Sequence, residues 1–114
     1  MSGPLLLEPR VFPDDRGFFA ETFRLDPFRE AGVMEPMVQH NQSRSVFGTI
    51  RGMHFQTGEG VAKLVRCARG RILDVLVDMR ADSPSFGEWE AFELDDESLR
   101  TLYAPVGFAH GFCV

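Results

Sequence analysis

RILDVLVDMR, Arg71–Arg80, is the stretch on which the fold class turns. Leu73, Val75, Val77 and Met79 alternate there with Ile72, Asp74, Leu76 and Asp78. A period of two is the mark of a strand, whose successive side chains point to opposite faces. The first set gives one wholly apolar face; the second is mixed and is expected to meet water or a polar cavity. Upstream, AKLVRCARG reads as another strand, with a tight hairpin held at Gly70 between Arg69 and Arg71. Downstream, ADSPSFG is a loop by composition, and EWEAFELDD is a strand that offers Trp89 and Phe92 for packing. LRTLYAPVGFAHGF is a strand that breaks at Pro105 and Gly107. Eleven phenylalanines against one Trp and one Tyr also favour pleated, half-buried surfaces. The one clear helix is short and lies near residues 26–31, with Asp26 as N-cap, Pro27 at the first helical position and Gly32 closing the end. Short strands at roughly 8–12-residue spacing predict an all-β sandwich or small barrel.

Length and charge bound the rest. A chain of 114 residues supports one modest core, so a single domain over 1–114 is expected. The formal net charge of -5 argues against nucleic acid or an anionic membrane as partner, since both select basic patches. No apolar run approaches the ~18–20 residues of a membrane span, and the stretch in MSGPLLLEPR is too short for a signal peptide. A cytoplasmic protein is therefore expected. The two cysteines, Cys67 and Cys113, form no C-x-x-C or Cys/His cluster, and both read as buried small hydrophobes in a reducing compartment.

Chemistry concentrates at the histidines, His40 in VQHNQS, His54 in RGMHFQ and His110 in GFAHGF. Metal-bearing cupins use two histidines one residue apart so that both project from one strand face into a cavity, and no His-x-His occurs, so no metal site is expected. In GTIRGMHFQ, strand parity puts Arg51 and His54 on opposite faces. They share a cavity only if the strand bulges, and Gly52 is the residue that permits it. Asp74 or Asp78 could orient a histidine from a neighbouring strand.

DDRGFFAETFR, QHNQSRSVFGTIRGMHFQ, KLVRCARGRILDVLVDMRADSPSFGEWEAFEL and YAPVGFAHGFCV follow one another in an order and spacing similar to the dTDP-4-dehydrorhamnose 3,5-epimerase family, over about Leu6 to Val114. The resemblance implies a cupin-like jelly roll, a homodimer, and no cofactor. It implies a dTDP-linked 4-keto-6-deoxy sugar as substrate, with inversion of carbons 3 and 5 by proton abstraction beside the ketone, as in dTDP-rhamnose synthesis. By matching motif, His54 resembles the base and Lys63 the lysine beside the developing oxyanion. A neutral histidine suits the first task and a fixed cation the second. Arg16, Glu21, Gln39, Asn41, Arg51 and His110 match substrate-binding positions, the arginines suiting a diphosphate. His40 departs from the acidic residue common at its position, and Met53 and Phe55 replace the commoner Leu and Tyr. Family members continue past GFAHGF through strands that complete the jelly roll and bring a proton-donating tyrosine and an acidic partner for the base. The sequence thus reads as an incomplete domain lacking those C-terminal strands, with a non-catalytic sugar-nucleotide-binding module, or an inactive fragment lacking the proton-donor tyrosine, as the alternative.

Overall fold

The computed structural model describes all residues, Met1–Val114. In chain order the elements are β1 (Leu5–Leu7), β2 (Val11–Asp14), β3 (Gly17–Ala20), α1 (Leu25–Ala31), β4 (Ile50–His54), β5 (Lys63–Arg66), β6 (Arg71–Asp78), β7 (Trp89–Asp95), β8 (Thr101–Ala104) and β9 (Phe108–Cys113). They form a three-stranded sheet in the order β1-β8-β5 and a four-stranded sheet in the order β4-β9-β6-β7, with β2 and β3 paired as a separate hairpin. All pairings are antiparallel. The two larger sheets meet in one core, where Leu76 of β6, Leu94 of β7 and Phe108 of β9 pack with Leu102 and Ala104 of β8 and with Cys67. Because the chain passes repeatedly from one sheet to the other, the arrangement is the jelly-roll sandwich that the motifs imply.

The local punctuation explains these crossings. Pro105 and Gly107 end one strand and begin another: β8 belongs to the first sheet and β9 to the second. Gly70 does the same. The hairpin expected there does not form, because β5 pairs with β8 and β6 with β7 and β9, so the turn carries the chain between layers. A Gly turn between two strands specifies a change of direction and leaves the partner open; the partner is set by the apolar residues each strand must bury.

Two further expectations are corrected. The helix starts earlier than Asp26: Arg24 is its N-cap, with extended backbone and no side-chain cap. Pro27 therefore sits third in the helix, where its missing N–H is still one that no helical carbonyl would accept. Gly32 does close the helix in the left-handed region at φ 116°. In β6 the period of two holds, and the mixed face meets a polar interior rather than water. Asp74, Leu76 and Asp78 are fully buried, while Leu73 on the apolar face is 48 % exposed.

Burial of the two aspartates is tolerated because each carboxylate has a hydrogen-bond partner. Asp78 accepts hydrogen bonds from Arg80 Nε at 2.9 Å, Ser83 Oγ at 2.6 Å and Ser85 Oγ at 2.6 Å. Those donors hold its carboxyl far below the usual carboxylate range, the Arg80 guanidinium first among them. The loop Ala81–Gly87 is thereby fastened to the end of β6. Cys113 is also corrected, being exposed where Cys67 is buried.

Candidate active site

The site is built around the bulge in β4. Arg51 pairs with Phe112, and His54 pairs with His110, with the register shifting between them. The shift by one residue brings Arg51 and His54, three apart in sequence, to the same side of the sheet. Gly52 is where the distortion sits, at φ 113° and before a cis peptide to Met53. A side chain at Gly52 would meet Gly111 Cα at 2.6 Å and the His110 carbonyl oxygen at 2.8 Å, so β4 and β9 touch backbone to backbone here. Glycine is needed twice over, for the dihedral and for the space.

Direct pairing places the inner face of the second sheet. His110 pairs with Leu76, Phe112 with Asp74 and Phe108 with Asp78, so these six side chains point between the layers, with Arg51 and His54 beside them. His110 and Asp74 meet diagonally across the two strands, with Nε2 2.8 Å from Asp74 Oδ2. Asp74 is fully buried and His110 is 8 % exposed. The other carboxyl oxygen, Oδ1, is sealed from solvent and has no partner. Burial pushes the Asp74 carboxyl up, while the His110 contact and the charge of Lys63 pull it back.

Lys63, the only lysine in the chain, comes from the opposite sheet. It pairs with Ala104 as Val65 pairs with Leu102, and Ala104 and Leu102 are core residues, so the lysine stem enters the same interlayer space. Strand parity thus turns Arg51, His54, Asp74 and His110 to the inner face of the second sheet and Lys63 to the inner face of the first, with Asp74 and His110 in contact. Arg51 is steadied by its Nε, which donates to Ser45 Oγ at 2.9 Å.

Other predicted residues lie on peripheral elements. Arg16 is at the tip of the β2–β3 hairpin, 91 % exposed, and donates to Asp14 at 2.8 Å. Glu21 follows β3 and pairs with Arg24 at 2.9 Å. Gln39 and Asn41 lie in the loop between α1 and β4, with Gln39 Nε2 donating to Asn41 Oδ1 at 3.1 Å. Within this chain, their side chains bond to near neighbours in sequence. That loop is fastened at its start, where Val33 is 3 % exposed and the Tyr103 hydroxyl donates to the Glu35 carboxylate. Tyr103 alternates with the core residues Leu102 and Ala104, so its hydroxyl points away from Lys63. No three His, Cys, Asp or Glu side chains assemble as a metal site.

Sequence reasoning named Asp74 or Asp78 as able to orient a histidine from a neighbouring strand, and the structure pairs Asp74 with His110. The signal was present as a carboxylate flanked by apolar residues in an otherwise buried strand. Ser45 and Glu35 carried no signal, since they act through contacts set by loop conformation.

The family model for dTDP-4-dehydrorhamnose 3,5-epimerase matches residues 1–114. The enzyme of that name from Methanothermobacter thermautotrophicus is 47 % identical over 112 residues, which cover 98 % of this chain and 60 % of that protein. A crystal structure of the Bacillus anthracis enzyme with TDP and PPi bound superposes with a TM-score of 0.93 at 46 % identity, covering 96 % of this chain and 64 % of that one. The Legionella pneumophila enzyme in complex with dTDP-4-keto-L-rhamnose gives a TM-score of 0.93 at 42 % identity, covering 97 % of this chain and 60 % of that one. The chain therefore spans about 60 % of the length of the relatives it matches. On the strength of the whole-chain match and the shared fold, the protein belongs to the dTDP-4-dehydrorhamnose 3,5-epimerase family.

Proposed function

We propose that the chain carries the proton-abstracting residues of a nucleotide-sugar epimerase site, acting on a dTDP-linked 4-keto-6-deoxy sugar at the carbons flanking the ketone. The observation that carries this reading is the register shift at Gly52, which brings Arg51 and His54 to the side of β4 that His110 shares on β9. In this reading His54 removes the proton next to the ketone. Lys63 faces the oxygen on which negative charge develops, and Arg51 grips the diphosphate. Arg16, Glu21, Gln39 and Asn41 add contacts to the nucleotide from peripheral loops. Incubation with dTDP-4-keto-6-deoxyglucose, followed by NMR of the sugar, tests it: the wild-type chain yields the epimerised sugar and His54→Asn does not. Full turnover by His54→Asn would assign the base elsewhere.

A second reading is favoured by Tyr103. Its hydroxyl is committed to Glu35 on the outer side of β8, so the chain's one tyrosine is not placed as an acid opposite His54. In this reading the chain is a non-catalytic sugar-nucleotide-binding module. Saturable heat on titration with dTDP, lost in Arg51→Ala, together with absent epimerisation, is its signature.

We further propose a homodimer. The outer side of the second sheet presents Leu73, Val75 and Val77, with Ile50 76 % exposed and Trp89 68 % exposed at its margins, and apolar faces of this kind are covered by a partner. No helix is long and apolar enough to cross a membrane, and a cytoplasmic location suits a nucleotide-sugar substrate.

A further inference from the structure

We infer that Asp74 fixes the ring of His110 so that Nε2–H is turned to the protein and Nδ1 is the atom left for the substrate, making His110 an acceptor for a sugar hydroxyl. The inference rests on the sugar-nucleotide reading of the site and adds to it a division of labour: His110 reads an O–H group, and the ketone oxygen is left to Lys63.

Three observations carry it. Nε2 of His110 lies 2.8 Å from Asp74 Oδ2 with both residues buried, a geometry in which a carboxylate accepts from the ring N–H. Nδ1 has no protein partner, yet it is not among the sealed polar atoms, so it opens onto the interlayer space that His54 and Lys63 share. Asp74 itself is anchored in the middle of β6 between strands β7 and β9, whose ladders hold it on both sides. Its side chain has no freedom to follow a moving ligand, and the imidazole inherits that rigidity. Asp74 is thus a positioning residue that acts through His110.

The unpartnered Oδ1 completes the picture. Lys63 is the cation that faces Asp74 from the opposite sheet, close enough to stabilise its charge, yet no ion pair forms between them. No hydrogen bond ties Lys63 to that carboxylate oxygen, and the ammonium group stays available for an anionic oxygen. A neutral imidazole with Nε2–H engaged cannot donate through Nδ1. The two groups therefore differ in what they offer a ligand: Lys63 donates, His110 accepts.

The test uses the full chain labelled with nitrogen-15. Two-bond proton–nitrogen correlation spectra at pH 7.5 report the tautomer of each of the three histidines. His110 is expected as the Nε2–H form with a pyridine-like Nδ1, and the Nδ1–H form in the wild-type protein would overturn the inference without any variant. Asp74→Asn, whose amide can turn its NH2 to Nε2, is expected to shift His110 toward the Nδ1–H form. Calorimetry with dTDP-glucose and with dTDP alone supplies the second arm. Asp74→Asn should weaken dTDP-glucose roughly five- to tenfold, as expected for one mismatched hydrogen bond at a buried site, and leave dTDP unchanged. Equal weakening of both ligands would reduce Asp74 to a structural role and overturn the assignment. If the wild-type chain binds neither ligand, the sugar-nucleotide reading fails and the assignment of Nδ1 to a sugar hydroxyl falls with it, while the tautomer spectrum still reports whether Asp74 sets the ring.

Discussion

At the scale of the residue, Gly52 carries the heaviest demand. Its positive φ and its contact with the Gly111 backbone both exclude a Cβ, so Gly52→Ala is expected to cost about 2–4 kcal/mol in denaturant unfolding. It should also separate Arg51 from His54, and dTDP affinity should fall further than the stability loss explains. Asp78 makes a different prediction. Its folded carboxyl lies far below the ordinary value, so its contribution is fully present above the unfolded value near 4 and is lost as pH falls below that toward the folded one. Asp78→Asn should therefore destabilise the protein by roughly 2–3 kcal/mol at pH 7 and flatten the acid limb of its stability curve. An acid limb as steep as in the wild type would remove Asp78 from the account. Residues such as Ser83 and Ser85 could not be assigned from sequence, because a serine in a loop is ordinarily solvated and only the fold shows what it donates to.

At the scale of the element, the strands were legible and their partners were not. The alternation in Arg71–Arg80 located β6, and the break at Pro105–Gly107 located the crossing from β8 to β9. In β6 the mixed face could be read only as meeting water or a polar cavity, because hydropathy alone does not show that an aspartate is buried and hydrogen-bonded. The bulge in β4 was recoverable because it was a conditional statement about parity: two residues of odd spacing can share a face only where the strand bulges, and Gly52 allows that. Helix α1 was nearly placed, its start displaced since the acidic residue in the first turn and the true N-cap differ. The loop after α1 yields a prediction of its own. Tyr103→Phe removes the hydroxyl that holds Glu35, so amide exchange should accelerate across residues 33–41 while the β6–β9 ladder stays protected. If the exchange pattern of that loop is unchanged, Glu35 does not anchor it.

At the scale of the whole molecule, the two sheets enclose a space that is apolar at one end and polar at the other. Leu76, Leu94, Leu102 and Phe108 fill the core, and the charged residues of the site occupy the rest. Leu102→Ala should cost about 2–5 kcal/mol, since that side chain is fully buried between the layers. The outer face of the second sheet remains apolar and uncovered in one copy. Leu73→Lys is therefore expected to shift the protein toward the monomer in sedimentation velocity without lowering the fraction folded. An unchanged dimer would place the interface elsewhere. The central claim, however, is chemical: His54 takes a proton from carbon beside a ketone. Exchange of substrate hydrogen with solvent tests that step without requiring inversion to finish. In heavy water, mass spectrometry and NMR of the dTDP-4-keto-6-deoxy sugar recovered after incubation should show deuterium at carbons 3 or 5 with the wild-type chain and none above background with His54→Asn. A wild-type chain that binds dTDP yet leaves both carbons fully protonated would contradict the account.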